Sequence, residues 1–484
     1  MNRRTLLILI GLAAAGTAWR SYPHLTIPDL MPSDEYHNWF FLQYLVTRHQ
    51  PYGGWFVPPL QLYIMWGVNL LTKIDILTLC KYTNPVVGGL MVFPVYFFLS
   101  SFLNRWQSIL GCVLFMASEN MFYRTCYFGS TEALGIVFMF VFLGLWLRGR
   151  RLLSLLVLPL IALSHVAPLL FAIGYVTLQF LYSRRTIPLA LATLFMTVGF
   201  IMGPLSPHRV QTMNILSGAL HFSPSNLFLY TPMELASVGI VSYLGLVMLM
   251  CNVSLRFWKW REPSRSMFIL SLLAFACAWL LYNTRVASPR RFLTYTAIAV
   301  IPVFVSRKRR KWVYPVVISA MLAAPLLGGT NNFVWLSDSL TQPEVKALQW
   351  LDANGYFSNT THKDWFGDRA VMQYVSARIS LEGLTNRTMI VVNPDWVGAT
   401  QMLLGQEAFI QDKTENETKT PQGWSYVFLS ERMRHNAYFV ITDWVRGTRS
   451  ETYHVPIVDK WSGDPSWVSI YNQSGVVIYE KVEK

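Results

Sequence analysis

Before residue 330 this 484-residue chain has few carboxylates, and most of them fall, together with histidines and arginines, in a few stretches beside apolar runs. PDLMPSDEYHNWF, residues 28–40, carries Asp29, Asp34, Glu35 and His37 among Tyr36, Trp39 and Phe40. ENMFYRTCYFGSTEALG, residues 119–135, adds Glu119, Arg124 and Glu132. His208, Arg209 and His221 precede TPMEL, which carries Thr231 and Glu234, and NTRVASPRRF carries Arg285, Arg290 and Arg291. A carboxylate can act as a general base or bind a divalent cation through hard oxygens. Guanidinium groups bind phosphate through paired hydrogen bonds. Together these types suit a phosphorylated substrate, and a lipid phosphate fits because a membrane would hold its tail.

Each residue also has a purely local reading. Asp29, after Pro28, reads as a turn or cap residue. Asp34 could cap the helix that SDEYH opens, but its company favours a site role. Glu35 and His37 stay open between the two. Glu132 stands where a first-turn carboxylate would meet a helix dipole, which competes evenly with a site role. His165 reads as a polar turn residue.

The elements that must position these residues are membrane helices. Only 14% of the residues are charged and 53% are hydrophobic, whereas a soluble protein carries about 25% charged residues. The formal net charge of +14 comes largely from clusters in short gaps between apolar runs: Arg3-Arg4, Arg148 to Arg151, Arg184-Arg185, Arg256 to Arg265 and Arg307 to Lys311. That recurrence is the positive-inside pattern and argues against nucleic acid as partner. With Arg3-Arg4 inside, residues 5–19 cross outward, 20–83 stay outside or re-enter, and 84–103 return. Residues 107–118 and 132–147 form the next pair, and 152–182 a short hairpin broken near His165 and Pro168. Residues 187–203, 235–252, 267–282, 292–305 and 312–328 complete about eleven spans with every basic cluster on one side. The expected organisation is a multi-span helical domain, residues 1–329, and a soluble external α/β domain, residues 330–484. The N-terminal run could be a signal peptide; the parity of the later spans favours a retained helix. Residues 57–71, opened by Pro58-Pro59, read as an interfacial or re-entrant helix.

All five cysteines lie before residue 330, and none forms a CxxC pair. In the C-terminal part, PEVKALQWLDANG reads as an amphipathic helix stopped by Gly, and YFVITDW and SGVVIYE as strands. Sequons begin there at Asn359, Asn386, Asn416 and Asn472, in keeping with an exported surface.

In layout the chain resembles the catalytic subunit of oligosaccharyltransferase and its archaeal relatives, membrane glycosyltransferases of the GT-C fold. SDEYHNWFFLQYLVTRHQPYGG is similar to the family's first outer loop, which makes Asp34 the acidic residue beside metal and acceptor. YRTCYFGSTEALG resembles the loop of the second acidic motif, with Ser130 and Glu132 where the family often has two acidic or metal-binding residues; only Glu132 keeps that chemistry. TPMEL resembles the motif whose glutamate contacts the acceptor amide, matched by Thr231 and Glu234. RVASPRRF resembles the segment whose arginine holds the lipid-linked phosphate, matched by Arg290 or Arg291. DWFGD, with Trp365, Gly367 and Asp368, is the nearest counterpart of the family's WWDYG motif, and departs from it.

The resemblance implies inverting transfer of a sugar or oligosaccharide from a polyprenyl (dolichyl-type) phosphate or pyrophosphate to a protein or glycan acceptor outside the membrane. Asp34, Glu132 and Glu234 would be the catalytic carboxylates. Glu35, His37, Thr231, Arg290, Arg291, Trp365 and Asp368 would contact substrates. A divalent cation, Mg2+ or Mn2+, would sit on Asp34 and Glu132. The competing classes are a transporter or flippase for a lipid-linked substrate, against which the lack of an internal repeat speaks, and an inactive scaffold of the same fold.

Overall fold

The computed structural model describes residues 2–26, 34–49, 60–126, 131–182, 263–284, 289–306, 319, 340–358, 360, 365–366, 371, 374–375, 378, 425–430, 438–441, 451–454 and 462–482. In chain order the first helices are α1 (Arg3–Thr26), α2 (Asp34–Arg48), α3 (Leu60–Thr72), α4 (Ile76–Leu90) and α5 (Val92–Leu99). Then come α6 (Arg105–Ala117), α7 (Glu119–Cys126), α8 (Glu132–Leu147), α9 (Arg151–Ser164), α10 (Val166–Tyr182), α11 (Ser264–Thr284), α12 (Pro289–Ser306) and α13 (Gln342–Ala353). The strands are β1 (Trp365–Phe366), β2 (Tyr426–Ser430), β3 (Tyr438–Ile441), β4 (Glu451–His454), β5 (Trp467–Gln473) and β6 (Val476–Lys481).

The chain divides into two compact units. One comprises Met1–Tyr22, Gln50–Ile74 and Lys81–Phe333; the other comprises Pro23–His49, Asp75–Cys80 and Val334–Lys484. In the first, α5 packs on α6 and α8, α8 on α9 and α10, α10 on α11, and α12 on α6, α7 and α11. Phe98, Phe140, Phe142, Tyr175, Ile298 and Val303 are among the side chains of one buried cluster. Its rim is apolar too. On α9, Leu158 and Ile161 turn inward, while Leu152, Leu153, Leu156 and Leu160 are exposed along the opposite face. An outward leucine stripe suits hydrocarbon better than water.

Among the described residues, two helical runs are long and apolar enough to cross a bilayer, Arg3–Leu25 and Ile76–Leu99; five other apolar helices are shorter. The expected spans 187–203, 235–252 and, but for residue 319, 312–328 lie outside the described residues. The helical hairpin expected over 152–182 is present as α9 and α10. It breaks at His165, whose backbone is extended (φ −166°, ψ 145°) and whose Nδ1 accepts from Ala167 N–H at 3.2 Å. Leu60–Thr72 is a helix of 13 residues, about 20 Å long and too short to span.

Three boundaries differ from the sequence reading. α1 runs on to Thr26 rather than stopping at Trp19, because Arg20 finds acceptors inside the protein. The helix expected from residue 84 starts at Ile76. There Asp75 Oδ2 accepts from the N–H of Thr78 at 2.8 Å and from its hydroxyl at 3.1 Å, an N-cap. Further along, Asn84, a polar interruption in that helix, takes a 2.6 Å hydrogen bond from Gln61 in the buried interior. The segment 119–131, expected as a loop, contains α7.

In the second unit, α13 begins with a capping box: Glu344 Oε2 accepts from Thr341 N–H at 2.6 Å and from its hydroxyl at 2.9 Å. Glu344 is buried, and its other oxygen accepts from the Ser430 hydroxyl of β2, which pins the helix start to the sheet. Gly355, at φ +74°, ends the helix as the sequence predicts. The sheet order is β1-β2-β6-β5, with β1 parallel to β2 and the other pairs antiparallel; β3 and β4 form a separate antiparallel pair. The two predicted strands appear as β3 and β6. DWFGD contributes a strand, β1, whose Trp365 is registered against Tyr426.

Candidate functional site

Glu132 opens α8 and is buried, with 1% of its surface exposed. Its position in the first turn places a negative charge against the helix dipole. Two groups from other helices meet it. The Tyr295 hydroxyl of α12 donates to Oε1 at 2.5 Å, the short distance of a charge-assisted bond. Arg124 Nε of α7 lies 3.5 Å from Oε2. Arg124 and Tyr295 are themselves buried, and the Tyr295 ring lies against Phe171, with centroids 5.5 Å apart. One carboxylate therefore joins α7, α8 and α12.

The consequence falls on α12. Its first turn contains Arg290 and Arg291, and Arg291 stands one helical turn before Tyr295. The bond from Tyr295 to Glu132 thus fixes the segment that the sequence reading assigned to phosphate. Neither Tyr295 nor its pairing was expected from the sequence. No local signal marks it, because the partners are 163 residues apart. Arg124 stood in the same stretch as Glu132, and its charge was the available clue.

The other expected residues fall as follows. Asp34, Glu35 and His37 form the first turn of α2, in the second unit. Trp365 lies in β1 of that unit. Thr231, Glu234, Asp368 and Ser130 lie outside the described residues, as do His208, Arg209, His221 and Arg285. His165 caps a helix start in the hairpin, as its turn reading implies.

The expected cation finds a poor fit at Glu132. A guanidinium already faces Oε2, and a phenol holds Oε1. Among the described residues no group of three His, Cys, Asp or Glu side chains is placed to hold a metal ion.

No protein-family model matches the chain, and no curated protein sequence matches it. Solved structures do. The chain is similar to the archaeal oligosaccharyltransferase AglB from Archaeoglobus fulgidus, in complex with an inhibitory peptide and a dolichol-phosphate. That likeness covers 94% of this chain and 74% of the other, with a TM-score of 0.50 and 11% identity. Two further structures of the Archaeoglobus fulgidus oligosaccharyltransferase match less closely. One, tethered to an acceptor peptide with an NVT sequon, gives a TM-score of 0.49 at 12% identity over 93% of this chain and 74% of that one. The other, a complex with Zn and sulfate, gives 0.47 at 12% identity over 92% and 73%. At this identity the likeness is one of fold: the chain has the architecture of an archaeal oligosaccharyltransferase along nearly its whole length.

Proposed function

We propose that the chain is an integral-membrane glycosyltransferase. It moves a sugar or oligosaccharide from a polyprenyl (dolichyl-type) phosphate or pyrophosphate to a protein or glycan acceptor on the external face. The observation that carries this reading is the fold likeness to an oligosaccharyltransferase structure that holds a dolichol-phosphate and a peptide. The buried Glu132–Tyr295 bond anchors the start of α12, the segment to which this reading assigns the phosphate.

The chemistry follows from the residue types. The acceptor's nucleophilic atom attacks the anomeric carbon in line, a new bond to that carbon forms, and the carbon–oxygen bond to the phosphate breaks with inversion. Asp34 takes the acceptor's proton or orients it, and Glu234 holds the acceptor with Thr231. Arg290 or Arg291 stabilises the charge that develops on the departing phosphate. Glu132, given its contacts, works as a positioning residue within this set. Glu35 and His37 flank the acceptor, and Trp365 with Asp368 contributes to acceptor recognition. Residues 1–329 form the membrane domain with a cytoplasmic N-terminus, and residues 330–484 lie outside.

The test is Asp34→Ala, assayed for transfer from a lipid-linked donor. Loss of transfer in a protein that still unfolds at the wild-type temperature supports the reading, and full activity sinks the assignment of Asp34.

A further inference from the structure

Arg20 is among the largest side chains that are fully buried, with 1% of its surface exposed. Such a guanidinium is costly inside an apolar bundle, and intramembrane charges are kept where they do something. Among the described residues no carboxylate pairs with it; its partners are neutral oxygens. Nε donates to Thr125 Oγ1 at 2.5 Å, and the terminal nitrogens donate to the carbonyls of Gly16 and Met116, each at 3.3 Å.

These partners sit at one corner of the fold. Met116 is in the last turn of α6, where carbonyls lack a helical partner and a cation is favoured by the dipole. Thr125 is in the last turn of α7, and its hydroxyl also donates to Met121 O at 2.6 Å. Arg20 O accepts from the Cys126 thiol at 3.3 Å, and the guanidinium lies 5.7 Å from the centre of the Phe122 ring. A single residue of α1 thus grips both sides of the α6–α7 junction. The residue next to Thr125 is Arg124, which faces Glu132. α4 leaves room for the grip at Gly88, where an added Cβ would come within 2.6 Å of both Arg20 Cδ and Thr125 Cβ.

We propose that Arg20 is a positioning residue for the reaction. By clamping the α6–α7 corner to α1 it sets Arg124 against Glu132, and through Tyr295 it sets the start of α12. This proposal rests on the glycosyltransferase reading for its catalytic consequence and on the structure alone for the clamp.

The experiment separates the two. In full-length protein whose only cysteine is Cys126, a membrane-permeant maleimide should label wild type slowly and Arg20→Met at least tenfold faster. Arg20→Lys, which keeps the charge, should fall between them. A matching protein with only Cys112, buried in α6, should stay protected in each variant; where Arg20→Met exposes Cys112 as well, Thr125→Val replaces it. In the transfer assay Arg20→Met should lower kcat about tenfold or more with KM for the lipid donor little changed, and Arg20→Lys should restore part of it. Unchanged labelling of Cys126 overturns the clamp. Faster labelling with unchanged kcat overturns the positioning role. If wild type transfers no sugar, the functional reading fails, and the labelling alone still decides whether Arg20 holds α7.

Discussion

The Tyr295 hydroxyl lies 2.5 Å from Glu132 Oε1, and Arg124 Nε lies 3.5 Å from Oε2 of the same carboxylate. Deleting each partner should therefore have a graded effect. Tyr295→Phe removes one bond to a charge, worth about 1.5–3 kcal/mol. Glu132→Ala removes one partner of a buried ion pair, at about 3–5 kcal/mol. Thermal unfolding in detergent should rank the variants in that order. Equal stability of Glu132→Ala and wild type would contradict the buried pair.

The same pair predicts a functional split. Tyr295→Phe leaves every expected substrate-contacting residue in place but loosens the start of α12. Transfer should fall by about one order of magnitude, the scale of 1.4 kcal/mol, with the loss in kcat. A variant with wild-type kcat would detach Tyr295 from the site.

Gly88→Ala should destabilise the first unit. Its Cβ would press on Arg20 Cδ and Thr125 Cβ at 2.6 Å, and overpacking of this kind costs about 1–3 kcal/mol. Thermal unfolding measures the cost, and faster maleimide labelling of Cys126 would locate it at the α1–α7 contact.

Asn472 is exposed at the end of β5, just before the Ser474-Gly475 turn, where both residues have positive φ (51° and 80°). The asparagines of the other three sequons of the C-terminal part lie outside the described residues. If residues 330–484 are external, protein from its native membrane should carry a glycan on Asn472, and Asn472→Gln should lose its mass. An Asn472 peptide recovered wholly unmodified would count against the external placement.

Local signals were legible wherever the determinants are close in sequence. Glu132 begins α8 because a carboxylate favours a helix start, and Gly355 ends α13 because its φ is positive. The break at His165 was readable from the polar residue between two apolar runs. Long-range partners were not readable. Nothing near Tyr295 announces Glu132, and Arg20 looks like the end of a hydrophobic run until Thr125 and Met116 are brought to it. The extra length of α1 and the early start of α4 share one cause, since polar side chains that seem to end a span are satisfied by neighbours. The roles of Thr231, Glu234 and Asp368 rest on sequence, since these positions lie outside the described residues.

Glycosyl transfer is assayed by incubating the purified protein with a dolichyl- or polyprenyl-linked sugar, as phosphate and as pyrophosphate, together with a sequon peptide and a glycan acceptor. The product is read by mass. The acceptor should become heavier by the transferred glycosyl unit, at the expense of the lipid-linked donor, and that product should be lost in Asp34→Ala. An intact donor with unmodified acceptors, under conditions where the protein is folded, would contradict it.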